Sequence, residues 1–324
     1  MDPLKPIVKY TDLADPQARP RYTGIASFFR TPITEDLSEV DIGLIGVPYD
    51  GGVTHRSGAR HGPKAVRDQS SMLRRFHNTT GFAPFEAARV RDLGDCWIEF
   101  PYELKGALDE IESFYRRVVT AGVTPVSVGG DHSITYPILK AVAHQGPVGM
   151  IHIDAHCDTG DDYLGSRFHH GAPFKRAVED GALDPTRVIQ IGIRGTKNSL
   201  DHWGFSESSG MRVLPMDEFQ DKGWAYAVEE ARRVIGDGPV YLSYDIDSLD
   251  PAEAPGTGTP EAGGIRVIEA LRLLRGLRGL NFVGGDLVEV APSWDNGTIT
   301  SFNGASILFE ILCLVTEARV SRTD

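Results

Sequence analysis

The chain has 324 residues, 41% of them hydrophobic, which is enough to bury a substantial core in one large α/β domain or two smaller ones. Its 45 acidic and 33 basic residues leave a formal net charge of -12 with no long basic run, which argues against a surface that binds nucleic acid or an anionic membrane. Cys96, Cys157 and Cys313 are odd in number and form no CxxC pair, so neither a disulfide framework nor a thiolate zinc site is expected, and the reducing cytoplasm is the expected compartment. Met1 to Pro16 lack a basic region followed by an apolar one, and no stretch is expected to supply the roughly 20 apolar residues of a membrane span.

In chain order, residues 1–38 are polar and proline-punctuated around Phe28 and Phe29, which predicts an arm packing on the body or on a neighbouring subunit. Short apolar, β-branched runs then predict buried strands at 41–47, 124–128, 149–154, 188–193, 240–245 and 281–290. Helical spacing predicts helices over 62–75, 102–121, 133–143, 173–180, 223–235, 265–274 and 301–317. Alternating β and α elements without an internal repeat imply a doubly wound, three-layer α/β/α fold, with residues 39–324 as a single domain.

Three of the strands run straight into polar clusters, and ligands of open α/β sheets bind beyond the carboxyl ends of strands. The first is GGDHS at 129–133, where paired glycines let Asp131 and His132 turn towards the strand ends. A plain strand-to-helix turn with Ser133 as cap is an equal reading of that string alone. The second is DAHCD at 154–158; in an extended segment alternate side chains share one side, which brings Asp154, His156 and Asp158 together. The third is SYDIDSLDP at 243–251, where the same spacing pairs Asp245 with Asp247, while Asp250 before Pro251 shapes the turn.

Two imidazoles and four carboxylates are too many ligands for one tetrahedral zinc, and they suit two octahedral-leaning divalent ions such as Mn2+ bridged by carboxylates. Ions about 3.5 to 4 Å apart can share a water and lower its pKa towards neutrality.

These strings resemble the ureohydrolases, the arginase, agmatinase and guanidino-acid hydrolase family, over about Gly24 to Leu314. The resemblance implies an eight-stranded, mostly parallel sheet. It also implies that His132, Asp154, Asp158 and Asp245 hold one ion, and His156, Asp154, Asp245 and Asp247 the other. His170, in GSRFHHGAPF at 165–174, matches the histidine that protonates the leaving amine, and Glu289 matches the glutamate that grips the guanidinium. Asp158 would orient the attacking hydroxide. His169 reads as a loop histidine, and Arg56 and Arg60 as members of structural ion pairs, with the holding of a substrate carboxylate as their alternative role.

By the same resemblance the reaction releases urea and an amine from a small guanidino substrate, and the chain assembles as trimers or hexamers of itself. A hetero-oligomer in which it is a low-activity partner of a paralogue is the alternative. The ions are expected to be Mn2+, with Ni2+ as the other choice. GVPYDGGVTHRSGARHGP at 46–63 is most similar to the guanidinopropionase and guanidinobutyrase branch. That branch makes 3-guanidinopropionate or 4-guanidinobutyrate the expected substrate, with Tyr163, Arg167 and Phe168 recognising its tail. Agmatine, drawn by Asp161 and Asp162, and guanidine or an alkylated biguanide are the alternatives. PGTGTP at 255–260 is expected to form a rigid pocket wall.

Overall fold

The computed structural model describes residues 20–197 and 203–322. Residues 1–19 of the expected arm lie outside that range, but Phe28 and Phe29 are 0% and 2% exposed and pack with Val66 and Phe309 in the core. The strands are β1 (Ile42–Val47), β2 (Val90–Asp95), β3 (Thr124–Gly129), β4 (Val148–Ile153), β5 (Leu183–Ile193), β6 (Arg212–Pro215), β7 (Val240–Asp245) and β8 (Phe282–Val288). They form one eight-stranded sheet in the order β2-β1-β3-β8-β7-β4-β5-β6, every pairing parallel.

The helices are α1 (Gly62–Ser70), α2 (Pro84–Ala87), α3 (Leu104–Thr120), α4 (Thr135–Val142), α5 (Pro173–Glu179), α6 (Gly204–Ser209), α7 (Met216–Ile235), α8 (Val267–Gly276) and α9 (Ile299–Ser321). Alternation along the strands divides the apolar side chains between two cores. Ile42 and Leu44 of β1, Val126 and Val128 of β3 and Ile151 and Ile153 of β4 enter one, with residues of α1, α7, α8 and α9. Ile45 and Val47, with Val148 and Met150, enter the other, with residues of α3, α4 and α5. Three layers are the result, as the alternation of elements implies.

α3 illustrates the local cause. Ala107, Leu108, Ile111, Tyr115 and Val118 recur on one buried face, the Glu103 side chain caps Gly106 N–H, and Gly122 in the left-handed region ends the run. In α7 the expected start at Gly223 is an internal break, where φ of +81° interrupts an element that begins at Met216. α9 corrects the expectation about apolar length: it runs 23 residues with a mean hydropathy of 1.6 over its most apolar window, yet 78% of that window is buried inside the fold. It is a core helix by packing.

β2 and β6 were not expected. They occupy the two sheet edges, and their sequences, VRDLGD and RVLP, are respectively half polar and four residues long. An edge strand needs no continuous apolar run, because one of its sides faces no further strand.

Candidate metal centre and substrate pocket

Four strands adjacent at the middle of the sheet, β3, β8, β7 and β4, end side by side. Ile153 is in register with Tyr244, and Asp245 with Val288, so Asp154, Asp245 and Glu289 leave the sheet at one level. Each of three exits makes the same turn. Asp131 Oδ1 accepts Ser133 N–H at 2.9 Å, Asp154 Oδ1 accepts His156 N–H at 2.6 Å, and Asp245 Oδ1 accepts Asp247 N–H at 2.8 Å. This side-chain-to-backbone bond two residues on is the Asx turn; at the second and third exits it joins two cluster residues, Asp154 with His156 and Asp245 with Asp247, and at the first it brackets His132. Convergence by an extended strand is therefore corrected: β4 stops at Ile153, Asp247 lies in a 3-10 turn, and Asp158 reaches the cluster through a left-handed backbone of φ +51°.

All six residues expected as metal ligands meet in two overlapping groups. His132 Nδ1 lies 3.2 Å from Asp154 Oδ2, 2.9 Å from Asp158 Oδ2 and 3.2 Å from Asp245 Oδ2. His156 Nδ1 lies 3.4 Å from Asp154 Oδ1 and 3.1 Å from Asp247 Oδ2. Ligands about 2.1 Å from an octahedral ion would stand about 3 Å from their neighbours, which these spacings fit. Asp154 gives one oxygen to each group. His132 Nδ1 is buried and has no hydrogen-bond partner, as a ligand nitrogen requires.

The electrostatics agree with the donor set. Burial disfavours the charged form of Asp245, and Asp247 and Asp154 raise its pKa further. Burial works against charged His132 as well, but the carboxylates of Asp154, Asp158 and Asp245 hold its pKa well above the usual imidazole value. Four carboxylates crowded at one buried point repel, and two divalent ions would neutralise them charge for charge.

Around the cluster is a layer that sequence reasoning missed. His132 Nε2 is 2.8 Å from Ser243 Oγ, which is 2.8 Å from Asp286 Oδ1. Asp286 Oδ2 accepts from Thr135 Oγ1 at 2.8 Å and Tyr241 OH at 2.9 Å. On the other side His152 Nε2 is 2.7 Å from Asp154 Oδ2, while Gln190 Nε2 addresses His152 Nδ1 at 3.1 Å and the Cys157 carbonyl at 2.6 Å. His152 was findable, because it precedes Asp154 by two positions and shares its side of the strand end.

Glu289 follows β8 with φ +63°, a left-handed backbone that a glutamate adopts at a cost. Its Oε1 accepts His132 N–H at 2.8 Å and lies 2.9 Å from His170 Nδ1; its Oε2 is buried without a partner. His170 is 8% exposed. Burial lowers the pKa of its imidazole, but the Glu289 carboxylate outweighs that and, with Asp131 and Asp158, lifts it to about 9. Gly258 of the 255–260 loop faces this carboxylate, since a Cβ there would stand 3.7 Å from Oε2 and 2.9 Å from the Arg56 carbonyl.

A cavity of about 440 Å³ opens over the cluster, lined by His156, Asp158, His170, Asp245, Thr54, Thr259 and the loop from Thr159 to Tyr163. Of the three tail-binding candidates, Tyr163 lines it. Arg167 instead pairs with Glu179 at 2.8 Å, and Phe168 packs against Tyr136 with ring centroids 6.1 Å apart, so neither is among the described lining residues. Their side chains are already used in holding the loop to α5 and α4. Asp161 is likewise engaged, by Lys175 at 2.6 Å and Arg176 at 2.9 Å, and Asp162 caps Gly165 N–H at 2.9 Å. His169 holds the Asp161 carbonyl at 2.9 Å, as a loop histidine. Arg60 pairs with Asp50, whereas Arg56 stacks over Trp294 at 4.8 Å in place of the expected ion pair.

Comparison with known proteins adds to this geometry. The arginase family profile matches residues 40–314. A guanidinopropionase of Pseudomonas aeruginosa is 51% identical over 300 residues, 92% of this chain and 94% of that one. A mitochondrial agmatinase of Gallus gallus is 47% identical over 299 residues, 92% of this chain and 87% of that one. The solved structure of proclavaminate amidino hydrolase from Streptomyces clavuligerus superposes with a TM-score of 0.89 at 39% identity, covering 93% of this chain and 100% of that one. A buried histidine-carboxylate cluster at the carboxyl ends of an eight-stranded parallel sheet, matched along nearly the whole chain, identifies a member of the arginase family, the amidino hydrolases.

Proposed function

We propose that the chain cleaves the guanidino C–N bond of a small guanidino acid, 3-guanidinopropionate or 4-guanidinobutyrate, to urea and an amine, with two divalent ions bound. The observation that carries the reading is Glu289, which is not itself among the described lining residues of the cavity but has one oxygen fixed by His132 N–H and His170, both at the site, and the other buried without a partner. A guanidinium offers that oxygen a charge-assisted bond. His132, Asp154, Asp158 and Asp245 would hold one ion, and His156, Asp154, Asp245 and Asp247 the other. Mn2+ or Ni2+ suits the set, and the bound pair supplies an acidified water as nucleophile near neutral pH.

The protein's own part is positioning and proton delivery. Glu289 Oε2 anchors the planar group over the cluster, so that attack is effectively unimolecular. Asp158, at the cavity floor, accepts a hydrogen bond on the attacking side. His170, protonated near neutrality, gives its proton to the departing nitrogen. Tyr163 is the tail contact. The pairing of Asp161 with Lys175 and Arg176 weakens its attraction for an ammonium tail, while Asp162 on the same wall accepts the neutral Gly165 N–H; the likeness to a guanidinopropionase at 51% identity is what favours a guanidino acid over agmatine.

The test is urea release by the purified chain, loaded separately with Mn2+ and Ni2+, over 3-guanidinopropionate, 4-guanidinobutyrate, agmatine, arginine, guanidine and dimethylbiguanide. Turnover of a guanidino acid supports the reading, and a preference for agmatine corrects the tail assignment. Silence across the panel with two ions bound per chain sinks stand-alone hydrolysis and points to the hetero-oligomer. We also propose a homo-oligomer, trimeric or hexameric, which light scattering on the same sample tests.

A further inference from the structure

The loop that leaves β1 ends on the ring of His170. Thr54 lies on the cavity wall and is exposed. Its hydroxyl oxygen is 2.7 Å from His170 Nε2, and its backbone N–H points to the same nitrogen at 3.1 Å. The other ring nitrogen, Nδ1, faces Glu289 Oε1 at 2.9 Å. The loop is itself fixed: Asp131 Oδ2 accepts Gly52 N–H at 2.7 Å, and the Gly52 carbonyl accepts His170 N–H at 2.9 Å.

A carboxylate on Nδ1 keeps a proton on that nitrogen, so Nε2 is the atom that gains and loses the exchangeable one. With its proton on, Nε2 donates to Thr54 Oγ1; with its proton off, the lone pair accepts Thr54 N–H. One residue thus offers a partner to each state, the hydroxyl to the protonated ring and the backbone N–H to the neutral one. Thr54 and His170 both line the cavity, so the hydroxyl and the ring meet at its wall.

We propose that Thr54 is the proton relay of His170, its hydroxyl connecting Nε2 to the departing nitrogen and, between turnovers, to solvent. This rests on the reading of His170 as proton donor. As the C–N bond breaks, its electron pair stays on the departing nitrogen, which takes the hydroxyl hydrogen of Thr54. Oγ1 takes the hydrogen of Nε2 in exchange, leaving the threonine unchanged and the imidazole neutral with its proton on Nδ1. Water returns one proton by the same path. The charged groups facing His170 are Glu289 after β8, Asp131 after β3 and Asp158 after β4. Thr54 is uncharged, so removing its hydroxyl leaves that field in place.

The experiment compares wild type, Thr54→Ser, Thr54→Val and His170→Ala for urea release over the same substrates and ions, in H2O and D2O and as a function of pH, with bound metal counted in each. The valine variant is expected to keep its metal and KM while kcat falls about tenfold to hundredfold. Its solvent isotope effect rises, and its alkaline limb moves to lower pH, because the remaining N–H opposes a protonated Nε2. The serine variant retains most of the activity and the wild-type profile. A valine variant with unchanged kcat, isotope effect and alkaline limb, beside an inactive His170→Ala, overturns the relay and leaves the role of His170 standing. Equal losses in serine and valine with a normal isotope effect assign Thr54 to loop packing and overturn it too. An active His170→Ala, or a silent wild type, removes the reading beneath the proposal and the proposal with it.

Discussion

Glu289 ties parts of the site together through one side chain, since it fixes the backbone of His132, raises the pKa of His170 and keeps Oε2 buried without a partner. Glu289→Gln keeps an acceptor for both donors but removes the charge. A hydrogen bond to a charged group is worth about 1.5–3 kcal/mol, so kcat/KM is expected to fall roughly tenfold to a hundredfold, read from urea release. The same change removes what lifts His170. With a folded pKa of about 9 the imidazole is protonated below that pH and loses its proton as pH rises through it. Wild-type turnover that needs this proton therefore declines through about pH 9, and in Glu289→Gln the decline begins at lower pH. His170→Ala is expected to lose about 10²–10⁴-fold in kcat with two ions still bound, which metal analysis separates from misfolding.

At the scale of elements, the central strands were legible because parallel strands buried on both faces read as continuous apolar runs, whereas β2 and β6 lie at the edges and carry no such run. The six cluster residues were legible from residue type and spacing, but the turns that bring them together were not. Asp158 and Glu289 have positive φ at non-glycine positions, and no local preference in the sequence announces that. Nor does a string announce which serine backs a ligand from another strand, as Ser243 of β7 backs His132 after β3, whereas His152 backs Asp154 from its own strand. These supports carry a prediction. His152→Phe removes the donor to Asp154 Oδ2 and is expected to weaken metal binding about 10–100-fold, measured by competition with a chelator. Gly130 carries another: a Cβ there would stand 2.1 Å from the Tyr49 carbonyl and 2.7 Å from that of Val47. Backbone cannot yield as a side chain end can, so Gly130→Ala is expected to lower stability by at least about 1–3 kcal/mol in thermal unfolding.

For the whole molecule, the cluster sets the terms on which the middle of the sheet is stable. Asp154, Asp245 and Asp247 are 0–2% exposed, and without divalent ions their charges are opposed by His132, His152 and His156 and by the Arg194 guanidinium. Ions that bind the folded chain and not the unfolded one stabilise it by mass action, about 2.7 kcal/mol for each site at a hundredfold excess over Kd. Stripping with chelator is therefore expected to lower Tm by several degrees, and restoring the ion to recover it. Proton competition gives the direction with pH. The ligands bind as neutral imidazole and ionised carboxylate, so acid displaces the ions, and the gap in Tm between loaded and stripped protein narrows as pH falls. A stripped protein that melts with the loaded one at neutral pH would mean that the buried carboxylates are already compensated by the histidines and Arg194. The cluster would then be a preformed polar network whose stability owes nothing to metal.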